Sequence, residues 1–150
     1  MQHDRFTFRG KALGSNRWIY GGAWHKGDQY LINGTFVDLA TVGQCSGLGD
    51  RKGQMIFEGD IVLYCGKASY IVRYGIYNKH HELTNCAPAF VLGWYLEAIG
   101  EDYTCELYAI DGYAAMFPAH CAETEEGRKS LILEKVGNRW DNPELLEVGV

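Results

Sequence analysis

Residues 44–62 read QCSGLGDRKGQMIFEGDIV, and this stretch decides the fold of the chain. Asp50 opens a type I turn that Gly53 closes, because an Asp side chain bonds the backbone ahead of it and Gly accepts a positive φ. Three apolar residues follow the turn, and after a short polar step the apolar run resumes with Ile61–Tyr64. The pattern predicts a hairpin and then a largely buried strand.

The spacing of glycine and proline excludes long helices. The chain holds 19 glycines and three prolines among 150 residues, and the longest run without either extends only from Ile76 to Ala87. A helix interior loses about 1 kcal/mol for each Gly and about 3 kcal/mol for each Pro, so short strands joined by tight turns fit better. We expect the run from Ile76 to Ala87 to hold a short helical segment or a loop.

Turn and strand patterns fill most of the remaining sequence. Asn33-Gly34 lies between two apolar triplets and predicts a type I′ hairpin, because both residues tolerate a positive φ. Asp111-Gly112 is a further turn signal. Tyr70, Val72 and Tyr74 occupy alternate positions, which indicates a half-buried strand. Further strands are predicted at Phe90–Leu92, Cys105–Ala109 and Leu131–Leu133.

Helix signals are few. Asn142–Leu146 combines an N-cap residue, a Pro at the first helical position and an acid in the first turn, so a short terminal helix is predicted. Its Leu145 and Leu146 are expected to pack onto the sheet, whereas the charged segment Glu123–Lys129 is interpreted as a solvated connection. Together these patterns predict one domain over residues 1–150 with a mostly β (β-rich α+β) fold. We expect a small bent barrel or sandwich of short antiparallel strands with one or two short helices.

Composition and charge restrict the class of protein. The chain is 47% hydrophobic and 22% charged, as soluble globular domains are, and no apolar run is long enough to span a membrane. Met1–Arg5 lack the apolar core of a signal peptide. Five cysteines, an odd number without a CxxC pair, favour reduced and mostly buried thiols. We therefore expect a cytoplasmic protein.

The charge distribution disfavours nucleic acid as a partner. Sequence-independent binding to phosphates needs clustered Lys and Arg, but the net charge is −5 and the 14 basic residues are scattered. The glycine-rich, basic stretch Gly47–Gly53 is not a phosphate-binding loop, because a strand follows it where a helix should begin. We interpret it as a hairpin turn.

Metal ligands and nucleophiles are present without a recognisable arrangement. Candidate soft ligands occur at spacings that match no standard zinc site: His80, His81, Cys86, Cys105, His120 and Cys121. Cys121 beside His120, and Cys45 in the turn region, lack an identifiable orienting acid. Buried thiols and surface histidines explain these residues, so we predict no catalytic, cofactor-binding or metal-binding residue.

One acid pair and a set of aromatic residues remain as candidate binding groups. Glu58 and Asp60 would share one face of an extended strand and converge on a cation or polar group; alternatively, Asp60 caps a turn and Glu58 pairs with a basic neighbour. Twenty aromatic residues exceed what the core needs, and Tyr and Trp are enriched at interfaces. The predicted binding surface comprises Arg51, Lys52, Glu58, Asp60, Trp18, Tyr20, Trp24, Trp94 and Tyr95.

The same central stretch resembles the YopX-like family of bacteriophage and prophage proteins. The matching residues are Gly47-Leu48, Asp50, Gly53, Ile56 and Glu58-Gly59-Asp60-Ile61-Val62, with Cys45-Ser46 and Phe57 as departures from the family pattern. A second match ends the chain, at Gly137-Asn138 and Asn142-Pro143-Glu144-Leu145-Leu146. A weaker third match covers Phe6–Gly10 and Trp18–Gly21. The resemblance carries no enzymatic activity that would transfer residue by residue.

The resemblance implies an accessory protein of a phage or prophage, in the cytoplasm of the host bacterium. We expect a non-catalytic binding module for a host or phage macromolecule, and we expect it to form a homo-oligomer, which would also cover open strand edges. One alternative is a counter-defence protein that sequesters a nucleotide-like ligand through aromatic residues with Arg51 and Lys52. The other is a metal-dependent hydrolase using Glu58, Asp60 and a histidine.

Overall fold

The computed structural model describes residues 5–66, 68–79, 89–116 and 124–147. These residues are mostly in short strands, which confirms the predicted fold class. The described strands are β1 (Phe8–Lys11), β2 (Trp18–Gly21), β3 (Ala23–Lys26), β4 (Gln29–Ile32), β5 (Thr35–Val37), β6 (Gly43–Gly49), β7 (Met55–Phe57), β8 (Asp60–Tyr64), β9 (Ala68–Lys79), β10 (Ala89–Ala98), β11 (Thr104–Glu106), β12 (Tyr108–Ile110), β13 (Tyr113–Ala115) and β14 (Glu134–Asn138).

Helical structure is short, as predicted. Among the described residues, one α-helix, α1, spans Glu125–Ser130, and two 3₁₀ helices span Leu39–Thr41 and Pro143–Leu146. No helix in the described part of the chain has the length and apolarity needed to cross a membrane.

The strands form three sheets, and within the described ranges these do not close into a barrel. The first runs in the order β12-β13-β6-β1-β2, with β7 also paired to β6, and the second runs β11-β10-β9-β8-β14. A small third sheet contains β3, β4 and β5. The described pairs are antiparallel except β13 with β6. The arrangement is that of packed sheets rather than the predicted alternative of a bent barrel.

The core lies where the second sheet packs against β7 and β13. Its fully buried members come from segments far apart in sequence: Ile56, Val62, Val72, Leu96, Ala114 and Leu133. Burying one such aliphatic side chain stabilises the fold by about 1.5–3 kcal/mol. Core packing on one face therefore stabilises the second sheet, and its long strands β9 and β10 extend beyond the core.

Local turn chemistry agrees with the sequence patterns. Asn33 and Gly34 have φ values of 49° and 77°, and Asp111 and Gly112 have 49° and 84°, so both predicted turns are confirmed. Gly53 closes the central hairpin at φ 81°. The Asp50 side chain accepts hydrogen bonds from the backbone N–H groups of Lys52 (2.9 Å) and Gln54 (2.8 Å).

One helix-or-loop prediction and one strand prediction were wrong. Ile76–Lys79 belongs to β9, where it pairs with β10, so the proposed helix or loop over Ile76–Ala87 fails in its described part; residues 80–87 lie outside the described ranges. Leu131–Leu133 makes only a single bridge, between Ile132 and Ala115, and the strand follows as β14. In both cases the extent of the strand depends on its pairing partner, which is β10 for β9 and β8 for β14.

Two helix predictions also need correction. The charged segment read as a solvated loop contains α1, whose start is capped by Thr124 Oγ1, which accepts a hydrogen bond from Gly127 N at 3.0 Å. The terminal helix is present, but Asn142 does not cap it with its side chain. Leu145 lies exposed, and only Leu146 is half-buried.

Candidate functional site

Asp60 is the centre of a buried ionic network. It is fully buried at the start of β8, and its Oδ1 lies 2.7 Å from the Arg9 guanidinium of β1. Its Oδ2 lies 3.1 Å from Lys135 Nζ of β14 and accepts a hydrogen bond from Phe57 N at 2.7 Å. A buried carboxylate is costly unless paired and hydrogen-bonded, so the two ion pairs and the hydrogen bond from Phe57 N compensate for the burial of Asp60.

Aromatic rings enclose the Arg9 side of the network. The guanidinium carbon lies 4.7 Å from the ring centroid of Trp18, 4.9 Å from that of Phe57 and 5.8 Å from that of Trp140. Arg9 also donates to the Glu58 carbonyl oxygen at 3.3 Å. Cation–π contacts gain strength when water is excluded, and Arg9 is almost completely buried. Arg9, a residue of the chain itself, therefore fills the space between these aromatic rings.

Lys135 connects the two aspartates of the central stretch. Its backbone N–H donates to Asp50 Oδ2 at 3.0 Å, while its ammonium reaches Asp60 and the Met55 carbonyl oxygen, the latter at 3.3 Å. β14 is therefore fixed both to the hairpin turn and to the start of β8. Asp50 and Asp60, the two aspartates of residues 44–62, thus hold β14, a strand that is distant in sequence.

The C-terminal segment closes over this network. Gly59 has a φ of 91°, and a Cβ placed on it would lie 2.3 Å from the Trp140 ring, so glycine is required on both conformational and steric grounds. Gly137 is constrained on steric grounds alone, because a Cβ there would lie 2.4 Å from Asn142 Oδ1. The Asn138 side chain accepts from the N–H groups of Trp140 and Asp141 and forms the turn between them.

Asp141 ties the C-terminal segment to the first hairpin. Its carboxylate accepts hydrogen bonds from Lys11 Nζ, from Trp18 Nε1 at 2.7 Å and from Asn138 Nδ2 at 3.1 Å. Partial burial alone would raise the pKa of Asp141, but these three hydrogen bonds outweigh it and hold the pKa at about 2. The carboxylate is thus ionised across the neutral range and serves as a fixed acceptor.

Glu58 has different partners from Asp60. Burial raises the pKa of Glu58, opposed by a hydrogen bond from the Tyr74 backbone N–H and by the positive charges of Arg73 and Arg139. Asp60 is meanwhile occupied by Arg9 and Lys135. The sequence-based alternative is that Asp60 caps a turn and Glu58 pairs with a basic neighbour; in the structure Asp60 accepts from Phe57 N, and positive charges lie near Glu58.

The two basic residues of the central turn separate in the structure. The Arg51 guanidinium donates to the Lys129 carbonyl oxygen at 3.2 Å and lines a cavity of about 510 Å³ between the turn, β13 and α1. Lys52 points elsewhere and forms an exposed ion pair with Glu134 at 3.4 Å. Only Arg51 of this pair contributes to a concave surface.

The predicted aromatic surface is divided among three places. Trp18 belongs to the buried network, and Tyr20 lies edge-on to Phe57 with ring centroids 5.6 Å apart. Trp24 is 73% exposed on β3 in the small third sheet. Trp94 and Tyr95 lie on opposite faces of β10, where Trp94 contacts Tyr74 and Tyr95 stacks on Tyr77. They do not form one continuous surface.

A different apolar surface lies on the β9–β10 hairpin. The register pairs Tyr74 with Trp94, Ile76 with Leu92 and Asn78 with Phe90, so these side chains project from one face. The exposed fractions are 45% for Tyr74, 71% for Ile76, 74% for Phe90 and 67% for Leu92. We call these four residues the hairpin strip.

The hairpin strip continues the core face beyond the core. Val72 and Leu96, on the same face of the same two strands, are fully buried. Sequence reasoning identified Trp94 but missed the strip residues themselves. The alternate apolar positions 74 and 76, and 90, 92 and 94, carry the signal, but it becomes visible only when the two strands are paired.

The thiols that the structure describes are not arranged for chemistry. Cys45 is buried, Cys65 is exposed, and burial raises the pKa of the half-buried Cys105 to about 11, so that thiol stays protonated. The predicted majority of buried thiols is not seen among these three. Among the described residues no three of His, Cys, Asp and Glu are placed to hold a metal; His80, His81, Cys86, His120 and Cys121 lie outside the described ranges.

The chain matches a model of a known protein family. No curated protein matches the chain. The family model described as YopX protein matches residues 7–112, which is 106 of the 150 residues and includes the whole central stretch. The C-terminal segment that closes over the network lies beyond the matched range. The buried network of Arg9 and Asp60 and the hairpin strip both fall within residues 7–112, and this chain belongs to the YopX protein family.

Proposed function

We propose that the protein is a non-catalytic binding module that associates with a second copy of itself through the hairpin strip. The observation that carries this proposal is the placement of four large apolar side chains on one solvent-facing side of a paired hairpin. Large exposed apolar patches mark interaction sites. The hairpin is a regular, paired element, so the strip is presented on a defined backbone.

The area of the strip supports a symmetric dimer. The exposed parts of four such side chains amount to on the order of 500 Å², toward the upper end of the largest patch on an ordinary monomer. Two strips in contact would bury on the order of 1,000 Å², and the surrounding rim would bring the total into the range of specific interfaces, about 1,200–2,000 Å².

The chemistry of the strip favours a second copy as its occupant. The described side chains on this face of the hairpin carry no charge, whereas Arg73 and Glu97 form their ion pair on the opposite face. A two-fold interface places the same patch on both partners, so an uncharged strip meets an uncharged strip. A chain with a net charge of −5 would otherwise repel its copy, and a neutral contact surface limits that repulsion.

The buried network supports a non-catalytic role for the central stretch. Asp60 is engaged by Arg9, Lys135 and the Phe57 N–H, and the positive charges of Arg73, Arg139 and Arg9 lie near Glu58. These carboxylates serve structural contacts, which gives no support from the described residues to the alternative of a metal-dependent hydrolase. The family resemblance supports the wider setting, an accessory protein of a phage or prophage acting on a host or phage macromolecule.

The test is the mass of the protein in solution by light scattering. The wild-type chain is expected at twice the mass of one chain, and Leu92→Asp at the mass of one chain, because a charge placed in an apolar contact must be desolvated without a partner. Leu13→Asp is the matched control, since Leu13 is also exposed but lies in the turn after β1. Wild type at the mass of one chain would refute the proposal, as would an unchanged dimer in Leu92→Asp.

A further inference from the structure

The cavity beside Arg51 is independent of the hairpin strip. Its lining comes from four parts of the chain: Arg51 in the central turn, Tyr113 of β13, Glu126, Lys129 and Ser130 of α1, and Ile132 after the helix. Its volume of about 510 Å³ falls in the usual range for small-molecule sites. A mononucleotide is a ligand of suitable size.

The turn holds Arg51 in place on two sides. Its backbone N–H donates to the Leu133 carbonyl oxygen at 2.9 Å, and its guanidinium donates to the Lys129 carbonyl oxygen at 3.2 Å. An Arg side chain has five N–H donors in a fixed fork that fits two oxygens of a phosphate. A guanidinium positioned in advance loses less entropy on binding, so affinity for an oxyanion is gained.

The charge of the cavity is opposite to that of the chain. The lining contains two cationic residues, Arg51 and Lys129, and one acid, Glu126, whereas the whole chain carries −5. Tyr113 adds an aromatic ring that is 39% exposed, and Ile132 adds apolar surface. The lining thus combines an oxyanion-binding group with a stacking surface for a planar ring.

The geometry points to this cavity as a binding site for a nucleoside monophosphate, with Arg51 on the phosphate and Tyr113 stacked on the base. The assignment sharpens the sequence-based alternative of a nucleotide-like ligand. Lys52, which was expected to assist Arg51, faces Glu134 instead, and Lys129 takes its place at the cavity.

The test is calorimetric titration of the full chain with AMP, GMP, CMP and UMP, and with adenosine and ribose 5-phosphate as half-ligands. At least one nucleotide is expected to bind. Its nucleoside and ribose 5-phosphate are each expected to bind at least about tenfold more weakly, because each lacks one of the two contacts. Arg51→Gln should weaken that nucleotide at least about tenfold, and Tyr113→Leu at least about fivefold.

Lys52→Gln is the matched control, since it removes the same charge from the next residue without touching the cavity, and it should bind within about twofold of wild type. Arg51→Lys keeps the charge but loses the fork, and far-ultraviolet circular dichroism establishes that each variant is folded. Absence of binding by all four nucleotides at millimolar concentration would overturn the assignment, as would equal losses in Arg51→Gln and Lys52→Gln. Arg51→Gln should leave the dimer mass unchanged, so failure of the nucleotide proposal can be distinguished from failure of the dimer proposal.

Discussion

The hairpin strip and the network around Asp60 both depart from the usual distribution of side chains, but in opposite ways. In the network, charged groups are buried and each is given a partner: Arg9 and Lys135 meet one carboxylate. On the strip, large apolar side chains are exposed although the same strands bury Val72 and Leu96 closer to the core. Buried charges must be compensated by the fold itself, whereas exposed apolar surface is compensated when another molecule covers it.

The difference separates a structural role for the network from the binding role proposed for the hairpin strip. The central stretch that is easiest to recognise in the sequence holds β1, β8 and β14 together, and its polar residues are directed inward. The hairpin strip has no motif and faces solvent. Changes in the network should therefore alter the free energy of unfolding, and changes in the strip should alter association.

Asp60→Asn is expected to have the largest effect. Loss of the carboxylate charge leaves Arg9 and Lys135 buried without a counter-charge, and breaking a buried ionic network in this way costs about 3–5 kcal/mol. Urea unfolding followed by circular dichroism measures the change. Glu134→Gln, which breaks only the exposed pair with Lys52, is the control and should cost no more than about 1 kcal/mol. Similar small losses in both variants would remove the distinction between network and surface.

Gly59→Ala is expected to cost about 2–4 kcal/mol, because the new Cβ meets the Trp140 ring and the residue must keep a positive φ. Gly53→Ala tests the conformational part alone, since Gly53 has a φ of 81° and open space around its Cα. The double variant Gly59→Ala with Trp140→Leu should recover part of the loss beyond additivity. Strictly additive free energies of unfolding would show that the C-terminal segment does not close on Gly59.

The pH dependence of stability offers a smaller test at Asp141. Its pKa is lowered from 3.8 to about 2 in the folded protein, so its contribution is fully present above about pH 4 and is lost as the pH falls toward 2. The side chain is partly exposed, which reduces the contribution. The loss of stability between pH 5 and pH 2 should be less steep in Asp141→Asn than in wild type. Parallel curves for the two proteins would contradict the three-donor contact.

The parts of the fold that the sequence predicted are those set by local chemistry. Asp50, Gly53 and the pair Asn33-Gly34 determine their turns through their own side chains and φ values, and they appear where predicted. The end of β9 depends instead on pairing with β10, so residues 76–79 offered no local sign of extended structure.

The candidate site was predicted only in part for the same reason. Asp60 and Arg51 drew attention as polar residues of the central stretch, but their partners Arg9, Lys135 and Lys129 lie far away in sequence and are ordinary basic residues there. Nothing in an isolated Arg or Lys indicates that it will be buried beside a carboxylate. Ile76 and Leu92 are likewise exposed because they lie beyond the end of the core. The position of that end depends on how the sheets pack, so it cannot be read from the local sequence.

The most direct test of the account is urea unfolding at two chain concentrations a hundredfold apart, in wild type and in Leu92→Asp. If the strip joins two copies, the wild-type stability should rise with concentration by up to about 2.7 kcal/mol per dimer, while Leu92→Asp should unfold at the same urea concentration in both samples. Leu92→Asp should otherwise keep the stability of the single chain to within about 0.5 kcal/mol. A wild-type midpoint that does not depend on concentration, or a Leu92→Asp chain that fails to fold, would contradict the division between a structural network and a binding strip.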